Sequence, residues 1–224
     1  MLALAPGTKA RPEINTNETA RIYERFDVSA KRLVRAARAE GHVIPCGPGC
    51  DACCSSAANA LPFEIPLVIE AVRAMPVERR EEIRRGLAKW ARTLREAGVD
   101  IRSAEPSPIA YERARAACPF LLDHRCSIYD ARPISCRGHY LIDQDPKRCA
   151  NRGQHIMVQC LTVDAIAQPA LAELIEAAYP GKDISEWVVG LGLFQALVLS
   201  AWRLVDEAEP DYDAWAAHVL AGGV

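Results

Sequence analysis

Four cysteines fall within nine positions of the stretch CGPGCDACC, at Cys46, Cys50, Cys53 and Cys54. Three more follow in CPFLLDHRCSIYDARPISCR, at Cys118, Cys126 and Cys136. So many soft, oxidisable side chains in two short segments constrain the fold more than any hydrophobic pattern does. They must be cross-linked, buried or bound to metal. The total of nine is odd, and a bridge between adjacent Cys53 and Cys54 would be strained. The N-terminus MLALAPGTKARPE lacks a basic n-region followed by a long apolar run, so no secretory leader is expected. A cytoplasmic setting follows, where disulfides rarely persist. Metal binding is the stronger expectation.

The spacing suits that chemistry. In Cys46-x3-Cys50-x2-Cys53 a single turn can aim several sulfurs at one point, and Gly47, Pro48 and Gly49 favour the turn. Thiolates suit zinc, copper(I) or iron–sulfur clusters, and four around zinc close a tetrahedral structural site. Cys54 leaves the backbone in another direction from Cys53. It could serve a second metal, cap the same cluster or be a buried hydrophobe. Cys149 and Cys160 are further candidate ligands, as are His42, His139 and His155. A single histidine is more often a hydrogen-bonded or surface residue. Arg125, Arg132, Arg137 and Arg148 lie among the ligands, where guanidinium groups could offset thiolate charge.

Helical periodicity surrounds these segments. A first helix is expected from Thr16 or Asn17 to about Glu40, with Ile22, Phe26, Ala30, Leu33 and Ala37 on one face and Gly41 as its stop. Others are expected over 63–74, from Pro76 to about Ala97 with Ile83, Leu87, Trp90 and Leu94 as its stripe, and over 108–116. CPFLL and CSIY read as two short strands joined by a polar turn at DHR, with Pro133 opening a helical turn. Residues 141–160 read as loop. Helices return over 164–178, 184–207 and 211–220. The resulting fold class is mainly α, a helical domain around an irregular cysteine-rich centre with at most one short β-hairpin. The organisation is one domain, 1–224, with the cysteine region at 46–160 flanked by helices over 17–40 and 164–220.

The two cysteine blocks together resemble the YkgJ-type cysteine-cluster family, whose hallmark is a C-x2/3-C-x2-CC group followed by CPFL…C-x-IY…RP-x-x-CR. The resemblance spans residues 46–137 and implies chelation of zinc or iron. Carried over by position, it marks Cys46, Cys50, Cys53, Cys54, Cys118, Cys126 and Cys136 as ligands. Pro119, Phe120, Ile128, Tyr129, Arg132, Pro133 and Arg137 become their frame, with Arg132 and Arg137 placed behind the ligands. The family includes relatives of flagellin lysine N-methylase, but this chain is short for that enzyme and shows no binding fold for a methyl donor. The C-x3-C-x2-C spacing is also similar to the radical S-adenosylmethionine signature. That signature follows the first strand of a βα barrel, whereas here helices flank it.

Metal-ion binding through a split cysteine cluster is therefore the expected function, with zinc or iron as cofactor and an iron–sulfur cluster among the alternatives. An oxidoreductase or methyl-transfer component is one rival, and a zinc-stabilised interaction module is another. A formal net charge of −2 gives no support for nucleic acid as a partner. The apolar run WVVGLGLFQALVLSAWRLV, 187–205, contains Gln195, Ser200 and Arg203. It reads as a buried helix or the face of a protein partner or homodimer rather than a membrane span.

Overall fold

The computed structural model describes residues 16–47, 49–101, 108–143, 160–161, 164–178, 180–181 and 192–201. Its helices are α1 Thr16–Ala39, α2 Ile65–Arg73, α3 Val77–Glu96, α4 Pro108–Ala114, α5 Ile134–Arg137, α6 Asp164–Ala178 and α7 Phe194–Ala201. Six two-residue strands form three antiparallel pairs: β1 Asn59–Ala60 with β6 Gly192–Leu193, β2 Leu121–Leu122 with β3 Arg125–Cys126, and β4 Tyr140–Leu141 with β5 Cys160–Leu161. The fold is mainly helical, as expected. The anticipated hairpin is β2–β3. The other two pairs join segments far apart in sequence.

α1 buries Ile22, Tyr23, Phe26, Ala30, Val34 and Ala37, a stripe at three- and four-residue steps. Val34, rather than the expected Leu33, carries its last full turn inward. Gly41 ends the helix at φ +94°, and the His42 amide reaches back to the Ala37 carbonyl over 3.0 Å. That left-handed closure needs glycine. α3 buries Ile83, Leu87, Trp90, Ala91 and Leu94 against its neighbours, while its charged face stays in water.

The main core lies between α2, α3 and α7, where Val68, Ile69, Val72, Ile83 and Leu87 meet Leu197 and Val198. Phe120, Ile128 and Ala131 project into it from the second cysteine block, so that block is built onto the core rather than hung from it. The Phe120 and Phe194 rings meet at 5.3 Å between centroids. A second cluster packs α1 against Ile134 of α5 and against Ala170 and Leu174 of α6.

α7 corrects one expectation. The helix predicted over 184–207 does not run through residue 192. Gly192–Leu193 are extended and pair with Asn59–Ala60, and helix starts at Phe194. The backbone ladder to β1 competes there with helix, and Gly192 adds little helix propensity to oppose it. From Phe194 to Val198 every residue is buried, which accounts for the hydrophobicity of that stretch on all sides. Among the described residues no helix is long and apolar enough to cross a membrane. The expected helix over 211–220 lies outside the described residues.

Candidate metal centre

The first cysteine segment leaves α1, turns at Gly49 with φ +86°, and enters a short 3-10 turn over Ala52–Ser55. The Cys54 amide donates to the Asp51 carbonyl over 2.9 Å and the Ser56 amide to the Cys53 carbonyl over 3.0 Å, which fixes the adjacent pair on one tight turn. The second segment meets it directly. The amide of Cys118 donates to the carbonyl of Cys54 over 2.7 Å.

From Cys118 the chain enters the β2–β3 hairpin, whose turn is Asp123–His124. Both residues have positive φ, +50° and +59°, the geometry of a two-residue hairpin that usually takes Asn-Gly. Each is held from outside. Arg79 of α3 donates to Asp123 over 3.0 Å, and His124 Nδ1 lies 2.8 Å from Asp51 Oδ2. The hairpin therefore carries Cys126 back toward the first segment while its tip grips that segment a second time. A 3-10 turn at Tyr129–Ala131 and the α5 turn then deliver Cys136.

The segments joined in this way carry five partly buried thiols, Cys53, Cys54, Cys118, Cys126 and Cys136, near enough that charge on some of them raises others. Cys53 and Cys54 share a hydrogen bond, which, with burial, pushes the Cys54 thiol far above its ordinary range. Burial pushes Cys118 up to about 11, with Cys126 and Cys53 adding to the rise. The Phe120 amide and the Gln195 side chain donate to its sulfur and oppose it. Burial also raises Cys136, reinforced by Cys118, Cys53 and Cys126 and opposed by Arg132. Cys126 is raised by burial and lowered by the Ile128 amide, Arg132 and Arg137.

The remaining candidates are placed differently. Cys46 accepts the Leu141 amide at 3.1 Å and packs with Val34, Ala37 and Ile44. Cys50 is exposed. His42 pairs with Asp143 at 2.6 Å at the surface, and His139 is half-buried between α5 and β4. Cys160 lies on β5 opposite Leu141. Cys149, His155 and Arg148 lie outside the described residues.

The two framing arginines act in separate ways. Arg132 stacks 3.6 Å above the Tyr129 ring, and its charge opposes the rise in both Cys126 and Cys136. Arg137, 3% exposed, donates to the Arg132 carbonyl over 2.8 Å, to Asp27 over 2.7 Å and to the Asp130 carbonyl, and lies 4.2 Å from the Tyr23 ring. It binds the RPISCR turn to α1. Beside it Glu64, 1% exposed, accepts from the Tyr23 hydroxyl (2.8 Å) and from the amides of Ile134 (2.9 Å) and Leu61 (2.9 Å). Burial raises its pKa. Glu64 thus fixes the start of α5 two residues before Cys136. It had no motif to mark it, only its place as the one charge inside the apolar run ALPFEIPLVI.

Among the described residues no three Cys, His, Asp or Glu side chains stand as a formed metal site. The donor set is nevertheless matched to a thiophilic ion. Cys53, Cys118 and Cys126 add to the proton affinity of neighbouring thiols, and a cation would reverse that repulsion. Several buried polar atoms around them have no hydrogen-bond partner: Ser127 Oγ beside Cys126, Arg132 Nε, Asn59 Oδ1 and Gln195 Oε1. A cleft of about 410 Å³ reaches Cys118, lined by Glu82, Lys89, Thr93 and Arg115 among others.

Neither the curated proteins nor the solved structures contain a significant match to the chain. A family model does match, over residues 45–152, under the description "CxxCxxCC: putative zinc- or iron-chelating domain". That span covers both cysteine segments, the hairpin and α5, and agrees with the family resemblance of the two cysteine blocks.

Proposed function

We propose that this chain binds zinc or iron through Cys46, Cys50, Cys53, Cys54, Cys118, Cys126 and Cys136, with the last five as the centre. The observation that carries the reading is the main-chain junction of the two cysteine segments, the Cys118 amide on the Cys54 carbonyl over 2.7 Å, and the electrostatic influence of Cys53, Cys118 and Cys126 on neighbouring thiols supports it. More thiols gather than one tetrahedral zinc needs, which supports a polynuclear or iron–sulfur assembly. When bound, such a group supplies electron transfer or Lewis acidity. The chain's own residues hold the sulfurs, with Arg132 and Arg137 offsetting their charge. The chain is read as one domain in the cytoplasm.

Anaerobic purification with metal and sulfide analysis and a visible spectrum tests this. A brown protein with acid-labile sulfide supports the iron–sulfur form, and a colourless one with stoichiometric zinc supports the zinc form. If neither metal co-purifies, and Cys118→Ser changes nothing, the reading fails.

The cleft beside Cys118 favours an enzymatic second reading, a redox or methyl-transfer component, over a purely structural zinc module. It predicts a small molecule that perturbs the visible spectrum of the loaded protein on binding.

A further inference from the structure

The cleft that reaches Cys118 has two walls, and three contacts fix their register. Arg79 pairs with Asp123 over 3.0 Å, Gly86 lies against Pro119, and the Trp90 indole donates to the Tyr111 hydroxyl over 3.1 Å. α3 and the chain from α4 to the hairpin therefore run in opposite directions. Glu82, Gly86, Lys89 and Thr93 follow one another at helical steps along the α3 wall. Glu82 belongs to the hairpin end, where Arg79 holds it over 2.9 Å. Lys89 and Thr93 belong to the other end, toward Arg115.

Arg115 is an unusual residue for its position. It follows the last residue of α4 with φ +48°, in the left-handed region. The ends of α1 and α3 turn the same way at Gly41 (φ +94°) and Gly98 (φ +74°). Glycine enters that region freely, whereas a Cβ makes it costly. Among the described residues no carboxylate forms an ion pair with Arg115 or Lys89, and both are exposed. An arginine held where the other helices use glycine, its charge unmatched and its side chain on a cleft, has a use outside the fold.

We propose that this cleft binds a small organic phosphate, its dianionic head between Lys89 and Arg115 and its apolar body along Trp90, Pro119 and Leu121 toward Cys118. This rests on the reading of the cleft as a small-molecule site. The volume of about 410 Å³ is within the range of such sites. Two unmatched cations suit a phosphate monoester, which carries close to two negative charges at neutral pH. A monocarboxylate would leave one of them unmatched. Arginine grips phosphate as a fork and lysine as a point charge, and the Thr93 hydroxyl adds a donor beside them. Glu82 is two turns away from Lys89, about 10 Å along α3, so its charge does not oppose the head directly.

Calorimetric titration of the full chain with phenyl phosphate tests this, with benzoate as a monoanion and phenol as a neutral body. Phenyl phosphate is expected to bind most tightly and phenol least. Lys89→Gln and Arg115→Gly should each weaken phenyl phosphate about tenfold or more. Arg115→Gly should do so with its thermal midpoint unchanged or raised, since glycine relieves the left-handed backbone. No binding, an affinity unchanged by either substitution, or benzoate as tight as phenyl phosphate would overturn the proposal. So would a fall in the Arg115→Gly midpoint, which would make the arginine part of the fold. The metal-free and Co²⁺-loaded chains are titrated alike. Binding in the expected pattern that leaves the sulfur-to-cobalt charge-transfer bands unmoved sustains the phosphate site and removes the enzymatic reading.

Discussion

The backbone amide of Cys118 sits 2.7 Å from the carbonyl of Cys54, joining two segments more than sixty residues apart through main-chain atoms alone. No side-chain substitution other than proline at 118 removes that bond directly, so individual sulfurs can be changed without dissolving the junction. Serine in place of Cys118, Cys126 or Cys136 is expected to leave the helical content intact and to lower bound metal sharply. Cys50→Ser, at an exposed position, is expected to cost the least. Metal stoichiometry against circular dichroism checks the series. Equal loss across all positions would show that Cys50 is as central as the buried sulfurs.

Glu64 links core stability to cysteine placement. Removing its carboxylate in Glu64→Ala leaves the Tyr23 hydroxyl and two buried amides unpaired and Arg137 less compensated. A loss of about 3–5 kcal/mol is expected, by denaturant unfolding of the metal-free protein. Its folded pKa is raised, so the neutral form is favoured in the folded state. The stability it contributes is full below the ordinary glutamate range and falls as pH rises through the raised value. Glu64→Gln should flatten that decline. An identical pH slope in the variant would remove Glu64 as its source.

Much of this was legible in sequence because it depends on local pattern. The stripe Ile83, Leu87, Trp90 and Leu94 gives α3, Gly41 ends α1, and the paired apolar runs around Asp123–His124 give the hairpin. The cysteine spacing located both loops. What escaped was fixed by partners distant in the chain. Gly192–Leu193 becomes extended only because Asn59–Ala60 lies alongside. Glu64 looks like an ordinary charge until Tyr23 and Ile134 are brought to it. Arg137 stood out through its motif, but its role as a fork between Asp27 and two carbonyls required the fold.

Gly86 sets how closely α3 approaches the second cysteine segment. A Cβ built there would lie 3.2 Å from Pro119 Cβ and 3.4 Å from the Pro119 carbonyl oxygen, next to Cys118. In Gly86→Ala the gain in helix propensity, about 1 kcal/mol, is opposed by this contact, so little net change in stability is expected. Gly86→Leu must displace Pro119. It should destabilise by about 1–3 kcal/mol and weaken metal binding through Cys118. Thermal unfolding with a chelator-competition assay checks both. A leucine variant with unaltered affinity would show that Cys118 tolerates movement of its neighbour.

Proton release reports how many sulfurs close on the ion. Burial raises Cys118 to about 11 and also raises Cys126, and hydrogen bonding with burial raises Cys54, so in the empty protein these groups are thiols at neutral pH. A metal binds thiolate, so each of these ligands must give up a proton on loading. Affinity should therefore rise with pH, about tenfold per unit for every proton released, until the thiols ionise unaided. Calorimetry of Zn²⁺ binding in buffers of different ionisation enthalpy counts the protons. A release near four corresponds to a closed tetrahedral site, and a larger number to an assembly drawing on both of the adjacent sulfurs, Cys53 and Cys54. Affinity independent of pH would mean the thiols are not the ligands.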